Sequence, residues 1–277
     1  MKILHPLTAE QAREKAAAWL EQNEVQNNLI LGILSNLLSK APADRQEHHF
    51  WVVENEGAVV GAAFWTPPYK FTITTMEKEA LMALANEVRN VFPNIPGIGG
   101  PKEAAKHFSH FWNLKTQRSP VLEMSMRIYQ LDRVEPVVPN AGALRTAVLG
   151  DADFLVEWTK GLNRDAGLND PMDPREIVES YIRSQRLFLW EDGGAKAMAG
   201  YGRNTPNSFS VNMVYTPPEF RRKGYATSLV AEVSRKILDS GKKYCLLYTD
   251  LFNPTSNNIY QKIGYQPACD WNAYLFK

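Results

Sequence analysis

The run that most constrains this chain is Val211 to Leu238, VNMVYTPPEFRRKGYATSLVAEVSRKIL, because its hydrophobic period changes midway. Val211-Asn-Met-Val-Tyr215 is a short apolar run of β-formers, which predicts a buried strand. Thr216-Pro217-Pro218 ends it, since proline has no N–H for the ladder. From Gly224 onward Tyr225, Leu229, Val230, Val233 and Ile237 fall at helical spacing. Between strand and helix lies Arg221-Arg222-Lys223-Gly224-Tyr225-Ala226. The first turn of a helix carries unpaired N–H groups and partial positive charge, so it attracts anions. The small residues Gly224 and Ala226 let a diphosphate approach the backbone, and Arg221 to Lys223 add charge. A tight turn with a solvated basic face is the plainer alternative.

Length and charge bound the rest. A chain of 277 residues suits one large or two ordinary domains, and two halves of about 140 residues could each bury a core. The formal charge of +1 gives no footprint for nucleic acid or an anionic membrane. Cys245 and Cys269 form no C-x-x-C pair and no disulfide framework, which suits a reducing compartment. Met1 to Pro6 has no apolar signal core, and the longest apolar run, Leu29 to Leu38, is too short to span a bilayer. The expectation is a soluble, cytoplasmic protein.

Taken in order, Thr8 to Gln11 reads as a capping box that opens a helix to about Glu21, followed by a buried helix from Val25 to Ser39. Phe50–Glu54 and Ala58–Trp65 read as strands around an Asn55-Glu56-Gly57 turn, and Tyr69–Thr75 as a third. Helices are expected near Glu77–Val91 and Pro101–Lys115, with Pro93 to Gly100 as a tight connection between them. That glycine-rich link lacks the lysine of a phosphate loop and follows a helix, not a strand. Val121–Leu131 reads as a strand. Pro136 and Pro139 then mark a linker within Asp132 to Gly142, so the expected domains are residues 1–135 and 142–277. The second half begins with a strand at Ala143–Ala147, a helix capped by Asp151, and a helix from Pro174 to Arg186. Strands at Leu187–Glu191 and Ala195–Arg203 flank Asp192-Gly193-Gly194, and Ser208–Tyr215 leads into the opening run. Both halves thus share one order of elements, and Gly61, Thr66 and Pro67 recur 139 positions later as Gly200, Thr205 and Pro206. An internal duplication is the expectation.

A further strand, Tyr244–Asp250, runs into Asn253-x-x-Ser256-x-x-x-Tyr260-x-x-x-Gly264-Tyr265. Together with Arg221-x-x-Gly224-x-Ala226, this resembles the GNAT superfamily of acyl-CoA-dependent N-acyltransferases. The first motif is similar to its diphosphate-binding turn, the second to its closing strand and helix, and the match covers about the last 90 residues. The resemblance implies an α/β fold of two GNAT-like halves, each a mixed central sheet flanked by helices. After Thr75 the first half has only Met76-Glu-Lys-Glu79 where the turn should be, so that half is expected to have lost the ligand.

The resemblance also assigns roles. Acetyl-CoA or another acyl-CoA would be the co-substrate, with no metal, and the acceptor a small-molecule or peptide amine attacking directly. Met213, Val214 and Tyr215 would contact the pantetheine arm through backbone. Arg221, Arg222, Lys223, Gly224, Tyr225 and Ala226 would cradle the diphosphate, with Asn253 and Ser256 nearby. Tyr260 would protonate the leaving thiolate, although it also reads as an amphipathic helix residue packed on a sheet. Many relatives carry a glutamate on the first motif strand, whereas Ser208 to Tyr215 has no carboxylate. Asp250 is the expected base, with Glu219 less suited and a water relay through Asn212 or Ser210 open. His48, His49, His107 and His110 have no metal-ligand spacing. Trp51, Phe64, Trp65 and Tyr69 are candidates for an acceptor pocket at the junction of the halves. The rival reading is a non-catalytic acyl-CoA-binding sensor or scaffold. A third, a nucleotide-binding βαβ unit, lacks G-x-G-x-x-G.

Overall fold

The computed structural model describes residues 1–138, 140–168 and 170–277, so Pro139 of the expected linker lies outside the described residues. The first half runs β1 (Lys2–Leu7), α1 (Ala9–Glu21), α2 (Glu24–Leu38), β2 (His49–Asn55), β3 (Ala58–Trp65), β4 (Phe71–Ile73), α3 (Lys78–Val91), β5 (Gly97–Pro101), α4 (Lys102–Thr116) and β6 (Pro120–Leu131). The second runs β7 (Ala143–Thr146), α5 (Ala152–Asp165), α6 (Pro174–Arg183), β8 (Leu187–Glu191), β9 (Ala195–Gly202), β10 (Ser208–Tyr215), α7 (Tyr225–Asp239), β11 (Tyr244–Asp250), α8 (Pro254–Ile263) and β12 (Gln266–Phe276). The order of elements in the two halves is the same.

Strand order explains how the halves hold together. One 12-stranded sheet reads β1-β2-β3-β4-β5-β12-β6-β11-β10-β9-β8-β7. Exchanging each strand of one half for its counterpart in the other returns the same order reversed, so the sheet has a pseudo-dyad. The last strands are exchanged across it. β12 pairs antiparallel with β5 of the first half, and β6 pairs antiparallel with β11 of the second. β6 and β12 pair with each other at the centre.

Period-two alternation sends successive side chains to opposite faces of the sheet. Trp51 and Val53 pack under α3 and α4, while Phe50 and Val52 pack under α1 and α2. In the second half Phe188 and Trp190 face α7 and α8, while Leu187 and Leu189 face α5 and α6. Each half therefore has two apolar layers, one on each face of the sheet. Thr8 and Gln11 form the expected capping box, and Asp173 caps α6 by accepting from the Arg175 N–H.

Three expectations are corrected. Pro93–Gly100 is not a helix–helix connection, because Gly97–Pro101 is the buried strand β5. Its three glycines give no alternation to read, and the packing requires them: a Cβ would lie 2.1 Å from the Tyr274 carbonyl oxygen at Gly97 and 2.0 Å from the Trp271 ring at Gly99. The third strand is shorter than expected, Phe71–Ile73. Asp151 does not cap α5 through its side chain. Its carboxylate accepts from both terminal nitrogens of Arg145, at 2.7 and 3.1 Å, and from the Val148 N–H.

The halves are also clasped by Glu24 at the start of α2, a carboxylate only 4 % exposed. It accepts from the Thr205 hydroxyl at 2.6 Å, the Asn207 N–H at 3.0 Å and the Asn207 side-chain amide at 2.7 Å. Burial pushes its pKa up, but these hydrogen bonds outweigh burial and hold it below 4.5. A depressed folded value means that the stability Glu24 contributes is complete above about pH 4.5 and is lost as pH falls through the folded value. Glu24→Ala should cost about 2–4 kcal/mol in denaturant unfolding at pH 7. Glu24→Gln should also flatten the loss of stability on acidification below pH 4.5; an unchanged acid limb would remove the carboxylate from this role.

Candidate functional site

The site grows from a break in the sheet. β10 and β11 run parallel and pair only from Ser208–Val211 to Tyr244–Leu247. β11 stays paired to β6 as far as Asp250, so it is β10 that departs. The cause is local: Met213 has φ +50°, and the β9–β10 ladder shifts register between Asn212 and Tyr215. Such a bulge bends the strand and re-aims the residues after it. Thr216-Pro217-Pro218 then prevents re-pairing. A gap opens between the two strands, with backbone of residues 212–215 along one side.

α7 starts at the mouth of this gap. Its N-cap is Gly224, at φ +80°, where glycine sits without the strain of a Cβ. Glycine has no side chain to cap the helix, and the first turn of α7 contains no acid. Its leading N–H groups thus point outward with the positive end of the helix dipole. Arg222 and Lys223 are exposed beside them. Arg221 is committed elsewhere: its Nε donates to the Thr216 carbonyl, its guanidinium pairs with Asp165, and it lies 5.6 Å from the Tyr215 ring centre. Tyr225 donates its hydroxyl to Asp192 at 2.8 Å, and that hydrogen bond raises the phenol's pKa. Asn140 crosses the turn, with its amide donating to the Lys223 carbonyl and its N–H to Ser228 Oγ.

On the other side of the gap α8 is capped conventionally. Asn253 Oδ1 accepts from the Ser256 N–H at 3.0 Å, so this side chain is spent on the helix start. Asp250 is exposed and its carboxylate accepts from the Phe252 N–H at 2.9 Å, which closes the turn after β11. Tyr260 is buried among Val211, Leu247 and Tyr265, with its ring edge-on to that of Tyr265. Burial pushes its phenol up to about 12, so it holds its proton at any ordinary pH. Among the described residues no side chain hydrogen-bonds its hydroxyl.

A polar cluster occupies the opposite sheet face; sequence reasoning named its Ser210 and Asn212 as a water relay but missed Asn28, Tyr181 and Tyr248. Asn28 of α2, fully buried, donates to the Tyr248 hydroxyl at 2.9 Å and accepts from Ser210 Oγ at 3.4 Å. Asn212 donates to the Tyr181 hydroxyl at 2.8 Å, while its own Oδ1 is buried without a partner among the described residues. The one available signal was Asn27-Asn28 inside an otherwise apolar helix. Of the four aromatics expected at the junction, Trp51 and Phe64 are core residues, and Trp65 donates its indole N–H to the Tyr69 carbonyl. Only Tyr69 reaches across, to Asp170 at 3.3 Å, and burial together with that carboxylate pushes its phenol up to about 12.

Residues 192–275 match the family described as FR47-like protein. The whole structure superimposes on a GNAT-family acetyltransferase from Colwellia psychrerythraea at TM-score 0.64 and 11 % identity, covering 100 % of both chains. A tandem GNAT protein from the clavulanic acid biosynthesis pathway aligns at TM-score 0.54 and 14 % identity, over 99 % of this chain and 98 % of that one. The chain has the tandem-GNAT fold. A GCN5-related N-acetyltransferase from Sphaerobacter thermophilus adds a third tandem-length match, at TM-score 0.64 and 13 % identity over 98 % and 94 % of the two chains. Among curated proteins no match is found. Among the described residues no helix is long and apolar enough to cross a membrane.

The environment of Tyr260 makes one structural prediction. Because its hydroxyl has no side-chain partner, Tyr260→Phe should change unfolding free energy by less than about 1 kcal/mol. A larger loss in thermal or denaturant unfolding would mean that the phenol is a structural hydrogen bond.

Proposed function

We propose that the C-terminal half binds acyl-CoA across the β10–β11 gap and transfers its acyl group to an amine. The observation that carries this is the meeting of an opened strand pair with a helix start that has neither a capping side chain nor an acid. The diphosphate would sit on the N–H groups at 224–226, with Arg222 and Lys223 adding charge. Arg221 would act indirectly, by holding the turn to Thr216 and Asp165. Backbone of Met213, Val214 and Tyr215 would line the pantetheine arm and polarise the thioester carbonyl. Asn253 and Ser256 would contribute chiefly by fixing the start of α8.

The amine nitrogen attacks the thioester carbon, the C–S bond breaks, and an amide and a free thiol result. The amine gives up one proton and the thiolate takes one. Tyr260, protonated and otherwise uncommitted, suits the second transfer. Asp250 or a water held at Ser210 and Asn212 would accept the first.

The first half lacks the same equipment. Its α3 has Glu77 at the N-cap and Glu79 in the first turn, where an anion would be repelled. The seventh residue of α4 is Phe108, where the seventh of α8 is Tyr260. Its function would be to shape the acceptor face through α2. A non-catalytic acyl-CoA binder is the second reading, favoured by the exposed, turn-closing Asp250 and a β10 without carboxylates.

Thiol release separates the two: with acetyl-CoA and a panel of amines, an acyltransferase frees CoA and a binder does not. For the enzyme, Tyr260→Phe should lower kcat by about 10²- to 10⁴-fold. Its dissociation constant for CoA should stay within a few-fold, and thioesters of more acidic thiols should suffer less. Equal loss with every donor would remove Tyr260 from protonation.

A further inference from the structure

Arg203 is an arginine placed at some cost and left without an acid. It follows β9 with φ +52°, a left-handed conformation that disfavours every residue with a Cβ. Its Cα and Cβ crowd against α2, where a Cβ at Gly32 would lie 2.9 and 2.8 Å from them. Gly32 therefore makes room for it in mid-helix, where glycine is itself unfavourable. Arg203 is half-buried as a residue, and its guanidinium lies 4.6 Å from the centre of the Tyr248 ring. None of the described ion pairs includes it. Its side chain donates no hydrogen bond to any described residue. A half-buried arginine without an acid among the described residues forgoes the bidentate pairing that suits it best.

Its place in the fold gives this meaning. Val211 and Leu247 are the last pair of the β10–β11 ladder, so Asn212 and Tyr248 stand at the apex of the gap. Val211 and Leu247 face α7 and α8, whereas Tyr248 and Ser210 reach Asn28 of α2 on the opposite face. Arg203 thus lies one aromatic ring away from the apex, on the face away from the α7 start. The Tyr248 hydroxyl is fixed by Asn28, which holds the ring on which the guanidinium stacks.

We infer that Arg203 receives the carboxylate of the acceptor, which is an amine of the amino-acid class. This rests on the acyl-transfer reading above and adds its substrate class. The guanidinium fork donates two parallel hydrogen bonds to a carboxylate, leaving the amine of the same molecule to enter the gap at Asn212. The amine nitrogen then forms an amide with the acyl carbon as the C–S bond breaks, and the products are an N-acyl amino acid and the free thiol. Arg203 is a specificity residue here and moves no proton.

The test compares free amino acids with the corresponding amino-acid amides as acceptors, with CoA release as readout. The acids should exceed their amides in kcat/KM by at least about tenfold, the usual scale of one charge-assisted pair. Arg203→Met should bring that ratio close to one, and Arg203→Lys, a point charge without the fork, should keep only part of it. Calorimetric binding of CoA to each variant reports that it is folded. If Arg203→Met does not fold, the acid-to-amide ratio of the unaltered protein decides. Amides used as well as acids, or a ratio that survives Arg203→Met, would overturn the inference while acyl transfer stands. CoA binding without release to any amine would overturn acyl transfer itself, and this inference with it.

Discussion

Everything in this molecule depends on the exchange of its two last strands. β12 completes the sheet of the first half and β6 that of the second, and the two pair with each other between them. Neither half can satisfy the edge of its own fifth strand without the other, and an unpaired buried ladder is costly. The exchange places α2 over the central strands, with Val25 and Leu29 packed against Ile128 and Trp271. Glu24 and Asn28 then reach into the second half. The first half thus supplies β6 to the sheet of the second half and, through α2, side chains that contact it.

Within that frame one distorted residue shapes the candidate site. A regular β10 would continue its ladder to β11 and leave no room for a ligand. Met213 at φ +50° turns the strand away just where α7 presents uncapped N–H groups. The two faces of the gap then differ in character. One offers a helix start and Tyr260, the other Asn28, Tyr181, Tyr248 and Arg203. The acyl transfer proposed for this gap needs two approaches to one bond, and this asymmetry would suit it.

Much of this was legible from residues. Period and turn chemistry located the strands around Asn55-Glu56-Gly57 and Asp192-Gly193-Gly194, the helix from Gly224, and the duplicated order. β5 was not legible, because a strand of mostly glycine has no side-chain pattern and its reason lies in Trp271 and Tyr274, far away in sequence. The exchange of β6 and β12 was not legible either, since both pairings are nonlocal and the run from Gln266 onward carries no motif. Arg221, Tyr225 and Asn253 were found by motif. Their side chains serve the turn and the helix start, which residue identity alone could not distinguish from contact with a ligand. Arg203 and Asn28 came from different halves, and only the packing of α2 on the second half joins them.

The central claim is that one gap, not two, takes the ligand. Hydrogen–deuterium exchange with and without saturating acyl-CoA tests it along the whole chain. The account predicts new protection at residues 213–226 and 250–257, with none at the corresponding positions of the first half, 74–79 and 100–104. Protection of both sets, or of the first-half set alone, would contradict it.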